Sequence, residues 1–111
     1  MLMALKNLEI SALNDIYSSL LPEKQQLALD YYYNEDLSLA EIAEHAGISR
    51  QGVRDQIKHA EAQLINYEKA LGLYEKSKKT DEVLNKLQLI AQRLCDSELD
   101  ELISQLKAIQ E

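Results

Sequence analysis

The chain has 111 residues, of which 46% are apolar and 28% charged, a size and balance that suit one globular domain with a buried core. It has no Trp, no Phe, three Gly and one Pro, and is rich in Leu, Ala, Glu, Gln and Lys, so it favours helix throughout and leaves little room for strands. A single Cys excludes an internal disulfide, no apolar run approaches the roughly 20 residues of a membrane span, and "MLMALKNLEIS" is too short and too soon charged to be a signal peptide, so a cytoplasmic setting is expected.

Leu13, Ile16, Tyr17 and Leu20 recur at steps of three and four, which predicts an amphipathic helix over residues 8–20. Pro22 suits the first turn of a second helix, with Glu23 beside the positive end of its dipole. That helix is expected to reach Tyr33, with Leu27 and Tyr31 inward, and to stop at the polar turn Asn34 to Asp36. Consecutive helical residues point about 100° apart, so Tyr31, Tyr32 and Tyr33 cannot form one stacking platform; two are expected in the core and one at its rim.

Ser38 followed by Glu41 is a capping box that starts a third helix, with Leu39, Ile42, Ala43 and Ala46 as its buried stripe. Gly47 supplies the left-handed conformation that ends it. Ser49 then caps a fourth, long helix. Its apolar residues Val53, Ile57, Ala60, Leu64, Tyr67, Leu71 and Tyr74 alternate steps of four and three, a heptad seam longer than a small domain easily covers. Gly72 marks a bend or an end. Thr80 is expected to cap a fifth helix with Val83, Leu84, Leu87, Ile90, Ala91 and Leu94 inward. Lys76, Lys78 and Lys79 before it read as a complement to a helix C-terminus. Asp96 or Ser97 caps a sixth helix with Leu99, Leu102, Ile103, Leu106 and Ile109 as its seam, and Cys95 between the two reads as a small buried apolar residue.

The central stretch carries the functional signal. Ala43 four residues before Gly47 lets two helices cross closely at a sharp turn, where a Cβ at position 47 is expected to open the angle. Ile42, Ile48, Val53 and Ile57 are expected to fill the core under that turn. This is the helix-turn-helix pattern, whose second helix offers its first turns to the DNA major groove. The outward residues are Ser49, Arg50, Gln51, Arg54, Asp55 and Lys58. Arg50, Arg54 and Lys58, at four-residue steps, suit phosphates or guanine edges, and Gln51 suits adenine.

Charge distribution agrees. The net charge is −7, yet residues 38–80 carry seven basic and six acidic residues, while residues 1–37 and 81–111 each sum to −4. Only the central segment tolerates a polyanion. His45 and His59 lie fourteen residues apart with no partner at metal-ligand spacing, so no metal site or cofactor is expected. No phosphate loop, nucleophile elbow or paired-histidine motif occurs, and a non-enzymatic protein is expected.

Residues 22–64 resemble the fourth conserved region of bacterial sigma factors. The run "YYYNEDLSLAEIA", then "GISRQGV" and "IKHAEAQLINYE", is similar to the YlxM family of small helix-turn-helix proteins, whose genes lie beside that of the signal recognition particle GTPase in Gram-positive bacteria. Gly52 and Arg54 depart from the pattern, which carries an alanine and often an aromatic there, and beyond residue 75 the similarity fades to length and helical character.

The resemblance implies a DNA-binding domain with a helical tail, a homodimer, and an accessory or regulatory role in the signal recognition particle pathway. The expected architecture is thus all-α: a sigma-region-four-like bundle with a long fourth helix and a C-terminal helical pair. It forms a single domain, 1–111, with a helix-turn-helix core over 8–64 and an extension over 65–111 for dimerisation or packing. The expected partners are double-stranded DNA, signal recognition particle components and a second copy. The alternative is an accessory protein that leaves DNA alone and docks the targeting GTPase or its RNA through the acidic end segments.

Overall fold

A computed structural model describes residues 7–110, all of them in helices or short connections. The helices are α1 (Leu8–Tyr17), α2 (Glu23–Leu29), α3 (Leu39–Ala46), α4 (Arg50–Leu71), α5 (Leu73–Leu94) and α6 (Ser97–Gln110). A 3-10 turn, Ser18–Leu20, follows α1, and a π turn, Asp30–Asn34, continues α2. The chain divides into two compact units, the first ending at Gly72 and the second beginning at Leu73. Among the described residues no helix is long and apolar enough to cross a membrane.

In the first unit, α1 begins where the Asn7 side chain accepts from the N–H groups of Glu9 and Ile10, satisfying two donors the helix cannot pair internally. Its buried face is Ile10, Leu13, Asn14 and Tyr17, whereas Ile16 and Leu20, expected inward, are exposed. The chain tightens to 3-10 after Tyr17, which carries Leu20 off the α-helical stripe and brings Leu21 inside. Pro22 precedes α2 as its cap, with an extended ψ of 148°.

The second helix differs from expectation by one residue of register. "LAL" at 27–29 offers two apolar faces, and Ala28 and Leu29 are buried while Leu27 is exposed. The π turn then adds a residue to the helical turn and points Tyr32, not Tyr31, into the core. Tyr31 and Tyr33 are half-buried. Tyr31 stacks on His45 with ring centroids 5.4 Å apart, and Tyr32 meets Tyr33 edge-on at 5.2 Å.

All of these elements close on α4. Val53, Ile57, Ala60 and Leu64 are each 0% exposed, so the seam is covered by the unit's own helices as far as Leu64. Covering a Leu, Ile or Val fully stabilises by roughly 1.5–3 kcal/mol apiece. Polar anchors hold the same helix at its outer edge: the Tyr17 hydroxyl donates to Glu68 Oε1 at 2.7 Å, and the Tyr33 hydroxyl donates to Glu61 Oε2 at 2.6 Å. Burial and the neighbouring Glu61 carboxylate push the Tyr33 hydroxyl well above the usual phenol range, so it stays a donor. The Tyr67 hydroxyl reaches the Leu20 carbonyl at 3.2 Å and Gln63 Oε1 at 3.0 Å. The first unit therefore takes in residues 65–72. Gly72, with φ +64°, ends α4.

The second unit is a hairpin of α5 and α6 around Leu84, Ala91 and Ile103, with Leu87 and Leu99 packed against them. Here α5 starts seven residues before Thr80. Thr80 caps nothing; its hydroxyl donates to the Lys76 carbonyl at 2.8 Å, the back-bond open to a threonine inside a helix. Lys76, Lys78 and Lys79 consequently lie in the early turns of α5 rather than behind a helix C-terminus. Lys79 pairs with Glu75 at 3.9 Å and the Lys78 ammonium sits 5.0 Å from the Tyr74 ring centroid.

Cys95 is exposed, not buried. It takes φ +55° at the turn, its N–H donating to the Gln92 carbonyl, while the N–H of Asp96 donates to that of Ala91. Asp96 accepts from Leu99 N–H at 3.1 Å and so starts α6. Lys107 donates to Asn85 at 3.3 Å and to Gln88. Val83, Ile90, Leu94, Leu102, Leu106 and Ile109, expected inside, are exposed, because two helices cover only one stripe of each other.

Candidate nucleic-acid interface

The helix-turn-helix element is built by three local devices in sequence. Ser38 accepts the Glu41 N–H at 3.1 Å while the Glu41 carboxylate accepts the Ser38 N–H at 3.0 Å, closing the capping box that starts α3. Those bonds to Ser38 hold the Glu41 carboxyl below its ordinary range. At the other end of α3, the N–H groups of Gly47 and Ile48 both donate to the Ala43 carbonyl, at 2.9 and 3.2 Å, with Gly47 at φ +70°. Ser49 Oγ then accepts the Gly52 N–H at 3.0 Å and opens α4. The chain reverses in three residues.

Ile42 and Ala43 are buried against α4, and Val53 and Ile57 face them from it. Two details differ from the sequence reading. A Cβ built on Gly47 meets nothing within 4 Å, so glycine is needed there for its left-handed φ and not for space. Ile48 is 39% exposed and lies over Gly52, whose added Cβ would sit 3.4 Å from Ile48 Cδ1 and 3.3 Å from Ser49 Oγ. It roofs the turn from outside and does not fill the core beneath it.

Ser49, Arg50, Gln51, Arg54, Asp55 and Lys58 are all exposed. At about 100° per residue, Gln51, Asp55 and Lys58 lie within about 50° of the pole opposite the buried stripe, and Arg54 and Arg50 flank them on one side. Among the described residues, neither arginine nor Lys58 is engaged in an ion pair. Asp55 is occupied differently: Gln51 Nε2 donates to its Oδ1 at 2.9 Å. The face is therefore three unneutralised cations along one side of a carboxylate that is already an acceptor, a surface able to take phosphate oxygens while presenting a carboxamide beside them. Lys58 also lines an open groove of about 510 Å³ with His59, Ala62, Gln63, Asn66 and Tyr67, farther along α4. Neither histidine joins a group of ligands able to hold a metal ion among the described residues.

Residues 4–106 match the UPF0122 family model, described as "Putative helix-turn-helix protein, YlxM / p13 like". The chain belongs to this family. It is 52% identical over 77 residues to a UPF0122 protein of Clostridium kluyveri, covering 69% of each chain. A UPF0122 protein of Clostridium botulinum is 45% identical over 96 residues, covering 86% of this chain and 88% of the relative. One of Halalkalibacterium halodurans is 42% identical over 104 residues and 94% of both chains. The match thus extends into the α5–α6 hairpin as far as residue 106, past the point near residue 75 where the motif resemblance fades.

Sequence reasoning missed the Gln51–Asp55 bond and the placement of Tyr33 on Glu61. The first had a signal in the i, i+4 spacing of a carboxamide and a carboxylate. The second joins residues 28 apart and had none.

Proposed function

We propose that this protein binds double-stranded DNA, inserting the first turns of α4 into the major groove. The observation that carries the reading is the exposed, unpaired trio Arg50, Arg54 and Lys58 on a helix whose start is fixed by the Gly47 turn and the Ser49 cap. Ser49 lies at the helix N-terminus, where backbone N–H groups suit a phosphate, and Arg50, Arg54 and Lys58 neutralise the flanking strand.

The test is duplex binding as a function of salt. If three phosphates are neutralised per copy, the slope of log K against log salt is about −2.7, and Arg50→Glu with Arg54→Glu abolishes most of the affinity. Binding that ignores both substitutions discards the reading. In that event the accessory role in the signal recognition particle pathway takes its place. What favours it is the acidity of residues 1–37 and 81–111, each at −4, which suits a basic, RNA-bound partner. Co-purification with the targeting GTPase or its RNA, unchanged by the two arginine substitutions, is its mark.

A second copy completes the DNA reading, since paired helix-turn-helix units contact two half-sites. The α4 seam is covered within its own unit as far as Leu64, and the proposal sets that copy on the hairpin, where Leu94, Leu102 and Ile109 are 65%, 52% and 79% exposed. Charge supports a second copy there. Lys79, Lys86 and Arg93 recur every seven residues along exposed α5, and Glu98 and Glu101 stand on exposed α6, so α5 of one copy laid on α6 of the other sets opposite charges together.

A further inference from the structure

We infer that Asp55 is a positioning residue for base recognition: its carboxylate fixes the Gln51 carboxamide in the one orientation that matches adenine. The inference rests on the proposal that α4 enters the major groove, and it separates two jobs on that helix. The arginines hold the backbone, and the Gln51–Asp55 pair reads the base.

Position comes first. Gln51 and Asp55 lie about 30° and 10° from the outermost line of α4, opposite Val53, Ile57, Ala60 and Leu64, whereas Arg54 lies about 90° away and Arg50 farther still. A helix laid in the groove presents its outermost line to base edges and its flanks to the two phosphate walls. By that geometry the arginines face a backbone strand, and the floor of the groove meets Gln51.

Chemistry comes second. A glutamine alone on a surface flips its carboxamide and offers oxygen or nitrogen with little preference, so it discriminates weakly between an acceptor and a donor on the base. A carboxylate is an acceptor only. Asp55 Oδ1, 2.9 Å from Gln51 Nε2, draws the nitrogen to its own side and turns the carbonyl oxygen away. One amide N–H is used by Asp55; the other and the oxygen stay open. That remaining donor and acceptor are complementary to the N7 acceptor and N6 amino donor of adenine, and mismatched to guanine, which shows two acceptors. The Asp55 charge also repels a guanine O6 or a phosphate that drifts into its place.

The carboxylate costs affinity, because it stands among the cations that attract DNA. Affinity and selectivity therefore respond to its removal in opposite directions, which a merely structural role does not produce.

The experiment is selection of bound duplexes from a randomised DNA pool at fixed salt, using the full chain, Gln51→Ala and Asp55→Asn. All substituted side chains are exposed, so the fold is kept, and an unchanged melting temperature verifies it. The wild-type protein enriches adenine at one position of its motif, and Gln51→Ala erases that position alone. Asp55→Asn keeps or raises total affinity while the adenine preference falls on the order of tenfold, the worth of one well-made bidentate contact. An adenine preference untouched by Asp55→Asn, or duplex binding in which Gln51→Ala erases no position of the motif, overturns the inference and leaves DNA binding standing. Absence of any salt-dependent duplex binding by the wild type overturns both.

Discussion

Replacing Gly47 by alanine separates the two reasons a glycine can sit in a helix-turn-helix bend. If the helices crossed so closely that a Cβ had no room, the substitution would force α3 and α4 apart, costing several kcal/mol together with the burial of Ile42 and Ala43. The structure leaves the space open, since nothing lies within 4 Å of the added Cβ. What remains is the strain of an L-residue at φ +70°, roughly 1–2 kcal/mol, partly offset because alanine also has less freedom to lose from the unfolded chain. The expected net destabilisation is about 1 kcal/mol. Asparagine, which tolerates this conformation better, should cost less, and valine, whose branched Cβ tolerates it worst, more. The assay is urea unfolding followed by tyrosine emission, since the chain has no tryptophan and five of its six tyrosines lie at or before Tyr67. At a typical small-protein urea slope of about 2 kcal/mol/M, the midpoint falls by about 0.5 M with the slope unchanged. A loss above about 3 kcal/mol, or asparagine no better than valine, refutes the reasoning and restores a steric role for the glycine.

Leu64→Ala removes a side chain that is 0% exposed and should cost about 2–5 kcal/mol in the same assay, whereas Leu102→Ala, 52% exposed on the hairpin, should change stability by no more than about 0.5 kcal/mol. Leu102→Asp with Leu106→Asp should instead act on association, giving a monomer by sedimentation while the tyrosine unfolding transition is kept; a dimer that survives both substitutions places the second copy elsewhere. Glu41 supplies a pH dependence of known sign. Its folded carboxyl is held below its ordinary value of 4.5 by Ser38, so its contribution is complete above that value and is lost as pH falls through the lower folded one. The stability difference between wild type and Glu41→Gln should therefore shrink between pH 6 and pH 3 in parallel urea titrations, and a difference that grows on acidification would contradict the assigned bonds.

What could be read in the chain was whatever is settled within a few residues. The Ser38–Glu41 box, the left-handed stop at Gly47, the Ser49 cap and the Asp96 start each satisfy or terminate a helix through hydrogen bonds to neighbours in sequence, and the structure has all of them. The exposure of Arg50, Gln51, Arg54, Asp55 and Lys58 was legible too, because they alternate with the apolar residues that must be inside. Periodicity was weaker wherever several registers are nearly equal in apolar content. Leu27 lost to Ala28 and Leu29, and Tyr31 to Tyr32, because packing on α4 and one π turn chose the face. Thr80 has the composition of a cap, but a helix that starts at Leu73 has already run past it.

Tertiary structure alone decided where surface would be left over. The seam on α4 reads as an invitation to a second chain, yet α1, α2 and α3 fill it up to Leu64, each laying its buried residues against that helix. The α5–α6 hairpin has no third layer among its own residues, so leucines that look like core by spacing stay in contact with water. Sequence fixes which side chains repel water and where helices begin, because those are properties of one residue or one turn. Which of them are covered depends on how many elements converge at a point in space.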